Sequence, residues 1–234
     1  MKKFGFLSLV IFLLFGFTPH ASANESVINL VSKPHQLFDG TFLNDDLAKD
    51  LSPAGTLGKA VEQKRIGMRT WVIDAELLDE VADMADGYEL ANNEDGVGVE
   101  AAAAWLAQLR IASAGALVTP IAYGNPDLGL AKRLAPSELT FYKKYGADRV
   151  AFHLGRAITP DKTLFKTSTS KLSGPDRKTY TVNRQAISKL STVVDAPELE
   201  LFRARLAILL SPSISGPSAE VFAQSAVDGV VQQQ

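Results

Sequence analysis

The sequence contains no cysteine. That excludes disulfide cross-links, thiolate catalysis and lipid attachment through a cysteine. Histidine is scarce, with only His20, His35 and His153. No pair stands at the H-x-x-x-H or H-E-x-x-H spacing that aims two imidazoles from one helix face at a metal, so no metal site is expected. There is no G-x-S-x-G elbow, no phosphate-binding P-loop and no dinucleotide glycine fingerprint, and the pattern implies no cofactor. After the first twenty residues no apolar run is long enough to cross a bilayer. The longest candidate, 199–210, is interrupted by Glu200, Arg203 and Arg205. Two segments have little or no charge of one sign. From Asp74 to Glu100 there are ten acids and no Lys or Arg, and from Lys162 to Lys189 there are seven bases and a single acid, Asp176. Both are expected to be solvated faces. The acidic one lacks the D-x-D-x-D-G spacing of a calcium loop. The basic one is a candidate contact for an anionic envelope polymer, but it has too few aromatics for a nucleic-acid surface.

What is present begins with a separate object. Lys2 and Lys3 precede the uncharged apolar run Phe4 to Phe17, and Ala21-Ser22-Ala23 supplies an A-x-A site. This is the pattern of a secretory signal peptide over residues 1–23, with cleavage near Ala23. The mature chain is then exported, and export without cysteine fits a bacterial envelope or secreted protein. Losing Lys2 and Lys3 takes the formal net charge from −2 to −4.

Along the mature chain, "VINLV" at Val27–Val31 reads as a buried strand. Helix in two pieces follows over 43–65, broken around Pro53 and Gly55. A second strand is expected at 68–73 and a helix at 75–85, where Leu77, Leu78, Val81, Met84 and Ala85 recur at helical spacing. The loop 87–98 carries Asn92, Asn93, Asp95 and Gly96. Helix resumes over 99–113 with Gly115 as its stop, and a third strand is expected at 116–121. Strand and helix thus alternate through residues 24–135, which implies a parallel sheet. Three strands are too few to close a β/α barrel. The expectation is an α/β fold, a partial parallel β/α sheet or incomplete barrel-like core, followed by a helical region over 136–234. In that region one helix is capped by Ser137 and ends at Gly146, and another runs from Ala147 to Gly155. A basic loop follows at 158–175, then helices at 176–194, 197–210 and 217–231.

Parallel sheets place their chemistry at the carboxyl ends of the strands. Three loops end there. The first carries Lys33, His35 and Asp39, the second Asp74, and the third Tyr123, Asn125 and Asp127. Asp74 and Asp127 are the candidate acid–base pair for a glycosidic bond. Each is equally explained without catalysis. Asp74 directly precedes a helix and fits as its N-cap. Asn125 fits as a cap before Pro126, and Asp127 suits the first-turn dipole. Tyr123, Asn125 and His35 are the candidate binding residues of the same rim.

Four segments carry a family resemblance: "SKPHQLFDGTFLNDDLAKDLSPAGTLGKAVE", "TWVIDAELLDEVADMADGY", "AAAAWLAQLR" and "VTPIAYGNPDLGLA". Together they resemble an uncharacterised actinobacterial family of secreted, cell-envelope proteins, a domain of unknown function with a β/α-barrel-like core. Trp71, Asp74, Leu77, Leu78, Trp105, Leu106, Tyr123, Pro126 and Asp127 carry the likeness. The resemblance implies a wall-associated protein and carries no catalytic residue over. Ala75 stands where the family usually has proline, and the metal-binding histidine pair of the related deacetylases is missing. The expected function is a non-catalytic or degenerate α/β envelope protein that binds cell-wall glycan or an envelope partner. The alternatives are a carboxylate-dependent glycan hydrolase and a structural scaffold for envelope assembly. None of the three calls for nucleic acid or for a transmembrane helix in the mature chain.

Overall fold

The computed structural model describes residues 26–62, 69–158, 174–190, 197–214 and 217–232. The expected signal peptide at 1–23 and nearly all of the expected basic loop at 158–175 lie outside the described residues. Strands β1 (Ser26–Leu30), β2 (Arg69–Ile73) and β3 (Leu117–Pro120) form an open, all-parallel sheet in the order β1-β2-β3. Ile28, Trp71 and Val118 lie in register on one face, and Leu30 aligns with Ile73. The centre strand β2 buries Thr70, Trp71 and Ile73, so both of its faces are covered, as a parallel sheet requires. Edge strand β1 leaves Val27 and Asn29 in solvent. The architecture is therefore mixed α/β with a partial parallel core that does not close.

Helices α1 (Asp46–Leu51) and α2 (Thr56–Glu62) connect β1 to β2, while α3 (Ala75–Asp86) and α4 (Val99–Ala112) connect β2 to β3. The helical periodicity of α3 holds, since Leu77, Leu78, Val81 and Met84 are fully buried. In α4, Trp105, Leu106 and Leu109 face inward, and the Trp105 Nε1–H donates to the Leu57 carbonyl at 2.9 Å, pinning α4 to α2. The chain after α4 turns through left-handed Gly115 into β3.

The second half holds α5 (Leu128–Leu134), α6 (Pro136–Leu154), α7 (Gly174–Leu190), α8 (Pro197–Arg205), a 3₁₀ segment at Leu206–Leu210 and α9 (Pro217–Gln232). Three local expectations are corrected. The helix break at Gly146 is absent, and α6 is continuous. A side chain at Gly146 would put its Cβ 2.5 Å from the Ile121 carbonyl oxygen and 3.0 Å from the Tyr123 nitrogen. The glycine is there because the helix lies directly against the backbone after β3, not because the helix ends. Ser137 is not the cap, because Pro136 occupies the first turn. Residues 206–210 leave the α-helix for a 3₁₀ turn, all five of them fully buried.

Among the described residues two apolar clusters form the core. One lies between the sheet and α1–α4. The other joins α5, α7, α8, the 3₁₀ segment and α9 to Leu37 and Phe38 from the loop after β1. Helix α6 belongs to both, with Val150 and Leu154 in the first and Leu139 and Tyr142 in the second. The helical half is thus packed onto the carboxyl end of the sheet.

Candidate functional site

The three strand-end loops do meet. Asp74 directly follows β2. Its backbone N–H donates to the Leu30 carbonyl at 3.0 Å, tying β1 to β2 past the last ladder pair. Its Oδ1 accepts from the Glu76 N–H at 3.1 Å, capping α3, and from the Gly124 N–H at 3.0 Å, holding the loop after β3. Asp74 is therefore the cap, and also a clamp between two loops. It is 1 % exposed. Burial pushes its carboxyl up to about 7, outweighing the two N–H bonds that favour the ionised form.

The acidic stretch is the solvated face expected of it only in part: Asp83, Asp86, Glu89, Glu94, Asp95 and Glu100 are exposed. Asp74, Glu76, Asp79 and Glu80 are all buried. Four carboxyl groups on one helix can be withdrawn from water only if protonated or partnered, and both devices operate here. Asp79 Oδ1 accepts from Arg149 Nε at 2.9 Å and Nη2 at 2.6 Å and lies 2.6 Å from His153 Nε2, while the Tyr123 hydroxyl donates to Oδ2 at 2.9 Å. Burial opposes ionised Asp79, but the bonds from His153 and Arg149 hold its carboxyl below the ordinary range. Glu80 Oε1 accepts from the backbone N–H groups of His35 and Gln36, both at 2.7 Å, and His35 Nδ1 stands 3.3 Å from Oε2. These contacts and a bond from Glu76 overcome burial and hold Glu80 low as well. Glu76 goes the other way, pushed well above its ordinary value by burial and by the neighbouring Glu80 and Asp74 charges.

The helical half covers this rim. The Arg205 guanidinium, itself buried, donates to the Gln36 carbonyl and lies over the Phe38 ring at 5.4 Å. Ile208 is seated on Gly124, where an added Cβ would meet Ile208 Cγ2 at 2.9 Å and its nitrogen at 3.1 Å. The Asp127 N–H donates to the Leu210 carbonyl at 2.8 Å. We refer to Leu206–Leu210 as the strap.

Against this geometry the candidates fall as follows. Asp127 is 4 % exposed and is the N-cap of α5, accepting from the Leu130 N–H at 2.8 Å. Asn125 is not a cap. It sits in the left-handed region at φ 45°, in the turn closed by its N–H to the Ala122 carbonyl. Tyr123 and His35 are buried and committed to Asp79 and Glu80. Lys33 stands 3.9 Å from Asp46 at the surface, and Asp39 accepts from the Thr41 N–H in a local turn. The candidate pair Asp74 and Asp127 does not face a shared open cleft, because both carboxyls are buried and hold backbone N–H groups. A glycoside hydrolase needs two carboxyls flanking a substrate.

Two surface grooves stand away from the rim. One, of about 460 Å³, is lined by residues including Leu51, Pro53, Val61, Trp105 and Gln108. The other, of about 320 Å³, is lined by residues including Leu37, Asp39, Val221, Ser225 and Asp228. Neither is lined by Asp74, Asp127, Tyr123, Asn125 or His35. Among the described residues no group of three His, Asp or Glu is arranged to hold a metal ion, and no helix is long and apolar enough to cross a membrane.

Sequence reasoning missed Glu76, Asp79, Glu80, Arg149, His153 and Arg205. One signal was available, since Arg149 and His153 stand four apart and share a helix face, as do Glu76 and Glu80. Compared with protein-family models and with curated proteins, the chain matches none.

Proposed function

We propose that this chain is an exported, non-catalytic cell-envelope protein, a degenerate β/α domain whose strand-end rim has become an internal ionic joint. The observation that carries the reading is the state of the rim. Asp74, Asp79, Glu80 and Asp127 are all buried, and each accepts hydrogen bonds from backbone N–H groups or from Arg149 and Tyr123. Nucleophiles and general bases need a substrate within hydrogen-bond reach, and these four carboxyls are buried and already bonded. Binding of wall glycan or an envelope partner then belongs to the outer surface. The large apolar side chains exposed there are mainly aliphatic, among them Val221, Val227 and Val231 of α9, with Phe152 the one aromatic ring among the described residues. Sugar rings are usually held on aromatic platforms, whereas aliphatic patches suit protein contacts. An envelope protein is therefore the preferred partner, as in the scaffold alternative.

The test is a retention and turnover assay of the mature chain on purified peptidoglycan, with Asp74→Asn and Asp127→Asn alongside. The expected result is no released sugar, and the same retention for all three proteins. Turnover by the parent chain that either substitution abolishes would overturn the non-catalytic reading.

A further inference from the structure

The large apolar side chains left in solvent concentrate on two neighbouring helices. Of the nine exposed among the described residues, four lie on α7 and α9: Val182, Val221, Val227 and Val231. The two helices pack on each other and on the strap, with Tyr180, Ile187, Phe222 and Ala226 buried on their inner sides. Their opposite sides are outermost, and each carries an exposed stripe at helical spacing. On α7 it is Lys178, Val182, Gln185 and Lys189. On α9 it is Val221, Gln224, Asp228 and Val231, with Glu220 and Val227 alongside. The stripes match in apolar content and oppose in charge. After Asp176, α7 has four bases and no acid, whereas α9 has two acids and no Lys or Arg. Neither Glu220 nor Asp228 is in an ion pair among the described residues, and Asp228 accepts the Gln224 amide N–H at 2.9 Å. Beside α9, the groove of about 320 Å³ sets Asp39 and Asp228 against the apolar walls of Leu37 and Val221. A lysine suits such a groove, with its stem on the apolar walls and its ammonium toward the carboxylates.

We infer that α7 and α9 form a two-fold interface between copies of this chain, with α7 of each copy lying on α9 of the other. A two-fold contact needs a self-complementary surface. A basic apolar stripe next to an acidic apolar stripe is one, since the rotation brings each onto its opposite. Lys178 and Lys189 of one copy then meet Glu220 and Asp228 of the other, and the valines close between them. The helices are 17 and 16 residues long, which is about 25 Å at 1.5 Å per residue. Side by side they are about 20 Å wide. The footprint is therefore about 500 Å² per copy and about 1,000 Å² in total, at the lower bound of specific interfaces. The dimer is accordingly weak, concentration-dependent and sensitive to salt. This deepens the protein-partner reading above, on which it rests, by naming the partner as a second copy.

Sedimentation velocity of the mature chain at low salt, from about 5 μM to about 500 μM, tests the interface. The parent should shift reversibly from monomer toward dimer, and about 0.5 M NaCl should reverse the shift. Two charge-reversed proteins are compared with it, one carrying Glu220→Lys and Asp228→Lys, the other Lys178→Glu and Lys189→Glu. Each alone should stay monomeric, because the rotation now sets like charges on like. Mixed in equal amounts, they should recover the dimer. A parent that is monomeric throughout overturns the inference and leaves the face to an unlike protein. A dimer that either reversed protein keeps alone lies elsewhere on the molecule and overturns it too, as does a mixture that stays monomeric. If a reversed protein does not fold, cross-linking replaces it, since the chain has no cysteine of its own. Chains carrying Gln185→Cys and Gln224→Cys should then cross-link to each other faster than either does to itself, and equal rates overturn the inference. Peptidoglycan and turnover do not enter these measurements, so the dimer and the non-catalytic reading fail separately.

Discussion

The Asp74 carboxyl should make the fold less stable as pH rises from acid toward neutral. This is the reverse of the usual behaviour of a salt-bridged aspartate. In the folded chain burial raises it from the ordinary 3.8 to about 7. The native state therefore holds a proton that the unfolded chain has released. The contribution is fully present below the unfolded value and is lost as pH climbs through the folded one. The slope for one such group is about 1.4 kcal/mol per pH unit, which over this window gives an upper bound of about 4 kcal/mol, reduced by whatever local relaxation admits water. Glu76 is raised as well and adds a slope of the same sign. Asp79 and Glu80 are lowered, so their contributions are in place above the ordinary carboxylate range and fall away only in stronger acid. The clean window is therefore about pH 5 to about pH 7. Asp74→Asn retains an amide oxygen for the Glu76 and Gly124 N–H groups and cannot titrate. Urea denaturation at intervals across that window should show the parent chain losing stability and the variant losing distinctly less, the remainder being the share of Glu76 and Asp83, whose carboxyls burial also raises. Parallel lines for the two proteins, or a parent chain that gains stability toward neutral pH, would refute the reasoning.

Two further outcomes follow from the packing. Asp79→Ala strands Arg149, His153 and the Tyr123 hydroxyl. Breaking a buried pair on one side costs about 3–5 kcal/mol, and the partial exposure of Arg149 places the expected loss near the lower end. A loss below about 1 kcal/mol in urea denaturation would show that the network is not the joint described. Gly146→Ala sets two effects against each other. Alanine gains about 1 kcal/mol of helix propensity, but its Cβ would sit 2.5 Å from the Ile121 carbonyl oxygen, a backbone atom that cannot swing aside. Overpacking of this kind costs about 1–3 kcal/mol, so a net destabilisation is expected, and a rise in melting temperature would contradict the close approach of α6 to the sheet.

The α/β half was legible because its signals are local. Val27–Val31 and Met68–Ile73 are mainly apolar runs of strand length, broken only by Asn29 and by Arg69 and Thr70, Leu77, Leu78, Val81 and Met84 recur at helical spacing, and an Asp between strand and helix reads as a cap. That the three loops would share one rim followed from parallel topology alone. The content of the rim was not legible, for an equally physical reason. A charged residue on a helix reads as solvent-facing unless its partner is known, and the partners of Asp79 and Glu80 lie 70 and 45 residues away at Arg149 and His35. Asn125 and Asp127 are both good capping types two positions apart, and only the backbone conformation decides between them. Gly146 reads as a helix stop because glycine usually is one, while its real cause, a neighbouring carbonyl, belongs to another element.

The continuity of α6 has a consequence for how the molecule comes apart. Its first half is anchored among the C-terminal helices and its second half beneath α3 and α4, so neither apolar cluster can dissolve without exposing a face of the same helix. Cooperativity is then imposed by one covalent rod rather than by a broad interface between two bodies. A fragment of residues 24–135 would lack α6 and so strip Arg149 and His153 from Asp79 and uncover that side of α3. Such a fragment is expected to lose cooperative folding, and heat or denaturant should melt both halves of the full chain in a single transition.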